Sequence, residues 1–246
     1  MRIKCLGCEA LARLIYHCAA QSPHIVDVEL FKLGLHNRPM NLRATLQERI
    51  DATPAEEYDA IVLVYGLCGK ATLGLTARTL PVIIPRAHDC ITLFLGDRAR
   101  YQDQFENQPG TYWYTIDYIE RHQQGEALGA GTETNITDVY DEYVQKFGKD
   151  NADYLMEVMG AWQSHYQRAA FIDLSVGNST AVEEHARQQA QRRGWAYERM
   201  AGDMVLVRKL ILGEWDDSNY LRLEPGDQIA MTYDQNVIGC ALQPAG

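Results

Sequence analysis

The 246-residue chain lacks the long apolar run that a membrane-spanning helix needs. Such a helix takes about 18 or more consecutive apolar residues, and no segment approaches that length. The N-terminus also lacks the apolar core of a signal peptide, because the short strand pattern Met1–Cys5 leads directly into a glycine turn. These absences predict a cytoplasmic protein that makes no contact with a membrane.

Positive charge is scarce as well, since 23 Lys and Arg residues face 33 Asp and Glu residues, for a formal net charge of −10. A nucleic-acid-binding protein usually carries a basic face, so we expect no nucleic-acid partner. The hydrophobic content of 46% is that of an ordinary globular protein. In the cytoplasm, six cysteines are expected to be metal ligands, reactive thiols or core residues rather than disulfides.

The commonest catalytic signatures are missing. The sequence contains no Gly-x-Ser-x-Gly, no His-Glu-x-x-His, and neither a P-loop nor a dinucleotide-binding glycine pattern. It has a single Cys-x-x-Cys, from Cys5 to Cys8, whereas a zinc ribbon would show two such pairs. That pair is also compatible with a redox dithiol at a strand-to-helix junction.

Strand-length apolar runs alternate with helical patterns along the chain. Residues Ile61–Val64 are continuously apolar and stop at a glycine turn, which is typical of a strand buried on both faces of a parallel sheet. Similar runs at Met1–Cys5, Val82–Pro85 and Ala169–Leu174 are each followed by a helical segment. We therefore predict a Rossmann-like α/β fold with a mainly parallel sheet and helices on both faces.

The remaining segments define the expected domain limits. Residues 1–215 are predicted to form a single α/β domain, with a short helix at Ala71–Thr79. A surface loop is expected at 123–137, followed by helices at 138–147 and 151–164. The apolar positions on either side of Pro225-Gly226-Asp227 predict a small C-terminal β-hairpin, with a tail, over 216–246.

Three predicted strand ends carry a cysteine: Cys8, Cys68 and Cys90, with His88 beside the last. Neighbouring parallel strands lie about 4.8 Å apart, and their carboxyl ends form the edge at which α/β proteins bind ligands. Three thiolates and an imidazole are a common ligand set for zinc, and three thiolates with an open position can hold a [4Fe–4S] cluster. We therefore predict a metal centre of one of these two kinds, with His88 as fourth ligand or as a donor to a ligand.

The alternative interpretation of each cysteine is a small buried core residue, which we expect for Cys18 and Cys240. Cys8 is predicted to lie in the first turn of a helix over Cys8–Ala20, where the helix dipole favours a thiolate. His88 has the alternative of capping the helix that follows it or of satisfying a backbone carbonyl.

Polar residues at a fourth strand end are candidates for substrate binding. His36, Asn37 and Arg38 follow the second predicted strand, and Arg86 follows the fourth. Either arginine is suited to clamp a carboxylate or phosphate of a small-molecule substrate. A solvated turn with surface charges is the alternative for this group.

Taken together, these motifs resemble a bacterial and archaeal family known as domain of unknown function 1638. The resemblance covers roughly residues 1–200 and includes Cys8, Cys68, His88 and Cys90. Its matching stretches are Leu6–Ala12, Leu35–Pro39, Tyr65–Gly69, Pro85–Gly96 and Gly110–Trp113. Some members of the family are encoded beside corrinoid-dependent methyltransferases, so the resemblance implies a setting in methyl-transfer metabolism.

Three functions remain open at this point. The first is a metal centre that activates a small thiol or methyl donor, because the His-x-Cys pair resembles the zinc site of thiol-activating methyltransferases. The second is a non-catalytic metallo-accessory protein that delivers metal or reductant to a corrinoid or methyltransferase partner. The third is a metal-free thiol enzyme with Cys68 or Cys90 as nucleophile and His88 as base.

Overall fold

A computed structural model of the chain describes residues 1–121, Lys149 and residues 166–241. Strands and helices alternate in it. The first part contains β1 (Arg2–Cys8), α1 (Ala12–Ala20), β2 (Ile25–Phe31), α2 (Pro39–Ala52), β3 (Ala60–Val64), β4 (Val82–Pro85), α3 (Cys90–Leu95), α4 (Arg98–Asn107), β5 (Thr111–Tyr114) and α5 (Ile116–Arg121). The second part contains β6 (Arg168–Asp173), α6 (Thr180–Arg193), β7 (Ala196–Ala201), α7 (Val205–Ile211), β8 (Tyr220–Leu223), β9 (Ile229–Met231) and β10 (Ile238–Cys240). The loop predicted at 123–137 and the helices predicted at 138–147 and 151–164 lie outside the described residues.

The central sheet has five strands in the order β2-β1-β3-β4-β8. The first four strands are parallel, and β8 runs antiparallel to β4 at the edge. The predicted α/β class, with a mainly parallel sheet and a small C-terminal antiparallel hairpin, is therefore confirmed. No helix among the described residues is long and apolar enough to cross a membrane.

Both faces of this sheet are covered, as the continuous apolar runs predicted. In β3, Val62 and Val64 pack into one hydrophobic core, while Ile61 and Leu63 pack into another on the opposite face. The first core is completed by apolar side chains of α1 and α7, and the second by those of α2. Strand side chains alternate between faces, so only a strand apolar at every position can serve two cores at once.

Strands β5, β6 and β7 form a separate, fully parallel three-stranded sheet. The prediction of a mainly parallel sheet did not separate these strands from the central one. The edge of the central sheet beyond β4 is already paired with β8, which leaves no free backbone groups there for β5–β7. The two sheets nevertheless share a core, because Ala170, Ile172 and Met200 pack in the same cluster as Ile3.

The C-terminal hairpin is built from different strands than the sequence indicated. Its arms are β9 and β10, with Ile229 opposite Cys240. The segment around Leu221, predicted as the first arm, instead joins the central sheet as β8. Tyr220 and Leu223 are buried there, so this edge strand gains apolar contacts that an isolated hairpin would lack.

The helix predicted at Ala71–Thr79 is absent from the structure, which has turns in its place. Gly74 adopts a left-handed φ of 79° that interrupts a helix. The backbone N–H of Gly74 donates to the carbonyl of Ile229 at 2.9 Å, and that of Ala77 donates to Asp227 at 3.0 Å. Hydrogen bonds to the C-terminal segment thus replace the local helical ones.

Candidate functional site

The order of the central sheet creates a crevice between β1 and β3. From β1 the chain first builds β2 on one side and then crosses to build β3 on the other. The loops that leave the carboxyl ends of β1 and β3 therefore diverge, and α/β proteins bind ligands at such a switch point. Cys8 ends β1, and Cys68 lies in the loop after β3. Cys90 begins α3, directly after the loop that follows β4.

A cavity of about 430 Å³ opens at this switch point. Its size falls in the range of small-molecule binding sites, roughly 300–1,000 Å³. Five of the eight predicted site residues line it: Cys8, Cys68, Cys90, His36 and Asn37. The three cysteines thus share one cavity, although they are up to 82 positions apart (90 − 8).

The loop that carries Cys68 is docked backbone to backbone on the loop after β4. The N–H of Leu67 donates to the carbonyl of Ala87 at 2.8 Å, and the N–H of Cys68 donates to the carbonyl of His88 at 3.0 Å. A Cβ on Gly66 would lie 2.7 Å from the backbone nitrogen of Asp89, so the close approach requires glycine. This docking holds the Cys68 loop beside the loop that leads to Cys90.

Cys68 has a strained backbone conformation. Its φ is 45°, in the left-handed region that residues with a Cβ rarely adopt, and Gly69 and Lys70 follow at 61° and 72°. Such a conformation costs on the order of 1–3 kcal/mol for a residue other than glycine. It persists here because the hydrogen bonds to the β4 loop hold it, and strain of this kind concentrates at functional sites.

Asp89 is a cavity residue that the sequence analysis did not select. Its carboxylate caps α3 by accepting hydrogen bonds from the backbone N–H groups of Ile91 at 2.9 Å and Thr92 at 3.3 Å. The Tyr101 hydroxyl donates to the other carboxylate oxygen at 2.9 Å. An aspartate directly before a helical apolar run is a recognisable N-cap signal, so this residue was accessible to sequence reasoning.

Cys8 does not lie in a helical turn, contrary to the prediction. It is the last residue of β1, with extended backbone angles, and α1 begins only at Ala12. Cys5 lies in the same strand, and three residues of strand separate Cα atoms by about 10 Å. A disulfide needs Cα atoms roughly 4.4–6.8 Å apart, so the redox-dithiol interpretation of Cys5 and Cys8 is wrong. Cys18 is a buried core residue as expected, whereas Cys240 is exposed.

The structure leaves His88 and the two predicted arginines outside the cavity lining. The exposed His88 ring stacks on Tyr101, with centroids 5.6 Å apart. The Arg86 side chain donates from Nε to the carbonyl of Asp217 at 2.9 Å and from Nη1 to that of Ile238, so it ties down the C-terminal segment. Arg38 is exposed, and its carbonyl accepts hydrogen bonds from the N–H groups of Asn41 and Leu42 in the first turn of α2.

A preformed coordination sphere is not present in the part of the chain that the structure describes. There, no group of three or more His, Cys, Asp or Glu side chains is arranged to hold a metal ion. Cys8, Cys68 and Cys90 remain the residues that could supply thiolates from the cavity wall, and their role as ligands stays a prediction. Metal binding would require the three sulfurs to move together as they lose their protons.

Comparison with known families assigns the chain. A family described as "Protein of unknown function (DUF1638)" matches residues 30–211. The chain belongs to this family. The DUF1638 match includes Cys68, His88 and Cys90 but begins after Cys8, later than the resemblance from residue 1 suggested. Neither the curated proteins nor the solved structures contain a match to the chain.

The cavity of this DUF1638 protein favours the protonated form of Cys68. Burial raises the pKa of the Cys68 thiol far above its usual range, and the nearby Cys8 and Asp89 raise it further. Burial also raises the pKa of Asp89, against the hydrogen bonds from Tyr101, Thr92 and Ile91, which lower it. A thiol in this setting is a poor nucleophile unless a cation offsets the loss of hydration, and a coordinating metal deprotonates such a thiol outright.

Alkylation of the chelator-treated protein tests this conclusion. Iodoacetamide at neutral pH is expected to modify Cys240 at least about tenfold faster than Cys68, because Cys240 is exposed to the reagent whereas burial both shields the Cys68 thiol and raises its pKa. A time course of peptide mass spectrometry measures both rates in one sample, together with that of Cys90. Faster labelling of Cys68 or Cys90 than of Cys240 would favour the metal-free thiol enzyme.

Proposed function

We propose that this DUF1638 protein holds a metal centre through the thiolates of Cys8, Cys68 and Cys90. An open coordination position would bind and activate a small substrate in the adjoining cavity. The observation that carries the proposal is the convergence of three cysteines, from three separate strand ends, on one cavity at the switch point of a parallel sheet. Zinc and a [4Fe–4S] cluster are the two centres that this ligand set suits.

Two properties of Cys68 support a metal rather than a bare thiol. Burial raises its pKa, which disfavours the bare thiolate that a metal-free thiol enzyme needs, whereas a bound metal ion would favour the thiolate. Its strained backbone, with a φ of 45°, is already fixed in the folded protein and sets the direction of the Cα–Cβ bond. The Cys68 loop therefore loses less conformational freedom when the thiolate binds a metal. Since coordination by a thiol releases its proton, metal affinity is expected to rise with pH.

The substrate in this proposal is a small thiol or methyl donor, and the setting is methyl-transfer metabolism in the cytoplasm, where thiols stay reduced. A corrinoid or methyltransferase protein is the proposed partner. If the centre were closed, with no exchangeable ligand, the same site would suit an accessory protein that delivers metal or reductant to that partner. Exchange of an added thiol onto the metal separates these two roles.

Anaerobic purification followed by metal and sulfide analysis tests the proposal. A zinc centre predicts a colourless protein with about one zinc per chain and no sulfide. A cluster predicts a brown protein that contains iron and sulfide and absorbs near about 400 nm. A protein with neither metal nor sulfide, which also fails to take up zinc or to be reconstituted with iron and sulfide, would contradict the proposal.

A further inference from the structure

The cavity at the switch point has an unusual charge balance. Among the described residues that line it there is no lysine or arginine, while Asp89 is one of the lining residues. A site for phosphate or carboxylate normally presents a guanidinium, an ammonium or a long helix N-terminus. The lining therefore disfavours an anionic ligand, in contrast to the arginine clamp that the sequence suggested.

One guanidinium, that of Arg168, contacts residues of the cavity wall without lining the cavity itself. Its charge is neutralised by a carboxylate. Arg168 donates to the hydroxyl of Thr111 at 2.9 Å and also contacts the amide oxygen of Gln104, and both of these residues line the cavity. Its other partners are Glu198, which accepts from Nη1 at 2.6 Å, and the Trp113 ring, whose centroid lies 5.7 Å from the guanidinium carbon. Arg168 is largely buried in this network and does not line the cavity.

The walls of the cavity are rich in aromatic rings, whose faces attract cations. The contributing residues are Tyr65, Tyr101, Phe105, Trp113 and Tyr166. Tyr101 stacks on both His88 and Phe105, with ring centroids 5.6 Å and 6.3 Å away, while its hydroxyl donates to Asp89. The Asp89 carboxylate is thus hydrogen-bonded to an aromatic residue of the cavity wall.

We propose that the ligand of this cavity is a small organic cation, an ammonium or sulfonium compound, that pairs with the Asp89 carboxylate against the aromatic wall. The inference rests on the proposed function, in that it takes the same cavity as the substrate site. The proposed centre strengthens the preference, because three thiolates carry one more negative charge than a Zn²⁺ ion neutralises. With no described lysine or arginine in the lining, a cationic ligand would balance that charge.

A pair of probes with one shape isolates the effect of charge. Choline and 3,3-dimethylbutan-1-ol differ in the replacement of the quaternary nitrogen by carbon, and 3,3-dimethylbutanoate supplies a negative charge on a similar body. Titration calorimetry of the purified full chain is expected to show choline binding at least about tenfold more tightly than the alcohol, with no binding of the acid. Equal or tighter binding of the alcohol or the acid, or no binding of choline at millimolar concentration, would overturn the inference.

Two matched variants assign the preference to Asp89. Asp89→Asn removes the charge but keeps an N-cap, since asparagine caps helices as well as aspartate does. Asp97→Asn makes the same change at the N-cap of α4, where the side chain accepts from the N–H of Arg100 at 2.7 Å outside the cavity lining. Asp89→Asn is expected to abolish the preference for choline, and Asp97→Asn to retain it. A preference that survives in Asp89→Asn, or that is lost equally in both variants, would overturn the inference.

Metal analysis of the same samples separates this inference from the function on which it rests. If the wild-type protein carries its metal but shows no preference for choline, the organic-cation inference is contradicted and the metal centre is not. If the protein prefers choline but never takes up metal, only the metal centre is contradicted. The cavity would then be a site for organic cations in a protein that holds no metal.

Discussion

Replacement of Cys68 by serine will lower the affinity of the protein for metal by at least about 10–100-fold. Mutation of a residue that only hydrogen-bonds to a metal ligand already costs that much, and Cys68 is a proposed ligand itself. A serine hydroxyl is smaller than a thiol and does not ionise near neutral pH, so it cannot replace a thiolate ligand. Cys68 also lies between the β1 and β4 loops in the order of the sheet, which makes it the central member of the proposed ligand set. Elemental analysis after dialysis against a graded series of chelator concentrations measures the change.

The control for this experiment is Cys240→Ser. Cys240 is exposed at the end of β10 and does not line the cavity, so its removal should leave metal content unchanged. Thermal unfolding of both variants in the presence of chelator shows whether the Cys68 substitution disturbs the fold itself. Equal metal content in the two serine variants would refute Cys68 as a ligand and, with it, the three-thiolate centre.

Replacement of Gly66 by alanine will destabilise the protein by about 3 kcal/mol, a large effect for the addition of one methyl group. The new Cβ would lie 2.7 Å from the backbone nitrogen of Asp89 and 2.8 Å from the carbonyl oxygen of Ala87. These are backbone atoms, which cannot rotate away, so the β3 and β4 loops must separate. For a chain of this size such a loss lowers the melting temperature by roughly 6–12 °C.

The same substitution should also weaken metal binding, because the loops that it separates carry Cys68 and Cys90. Gly194→Ala provides the comparison: Gly194 ends α6 with a φ of 68°, and a Cβ there would meet open space. That variant should lose only about 1–2 kcal/mol, the cost of a left-handed conformation for alanine, and should retain its metal. If Gly66→Ala melted no lower than Gly194→Ala, the tight docking of the two loops would not be a feature of the protein in solution.

Much of the candidate site was foreseeable because it depends on local patterns. The apolar run that ends before Cys68, the shorter one before Cys90 and the strand pattern Met1–Cys5 before Cys8 identify strands, and parallel strands bring their carboxyl ends to one edge. His36 and Asn37 followed from the same argument. Asp89 could also have been recognised, because it is an N-cap signal directly before an apolar helical run. The prediction selected its neighbours His88 and Cys90 instead.

Two of the predicted site residues that lie outside the cavity lining, Arg86 and His88, are placed by contacts with distant segments. Arg86 has the side chain that commonly binds anions, yet its guanidinium donates hydrogen bonds to the backbone carbonyls of Asp217 and Ile238. His88 lies two residues from Cys90, yet its ring stacks on Tyr101 outside the cavity lining. Neither partner can be read from the local sequence, because each is at least 13 positions away (101 − 88).

The sequence by itself determined the α/β class, the parallel strands and the position of three cysteines at strand ends, since these follow from hydrophobic periodicity and turn residues over a few positions. Only the tertiary structure decided which strands pair: it placed β8 beside β4, put β5–β7 in a sheet of their own, and replaced the helix at Ala71–Thr79 by turns. The physical reason is that backbone hydrogen bonds between strands are nearly identical for any partner. The choice among partners is made by the apolar surface that each arrangement buries, and that surface exists only once the chain has folded.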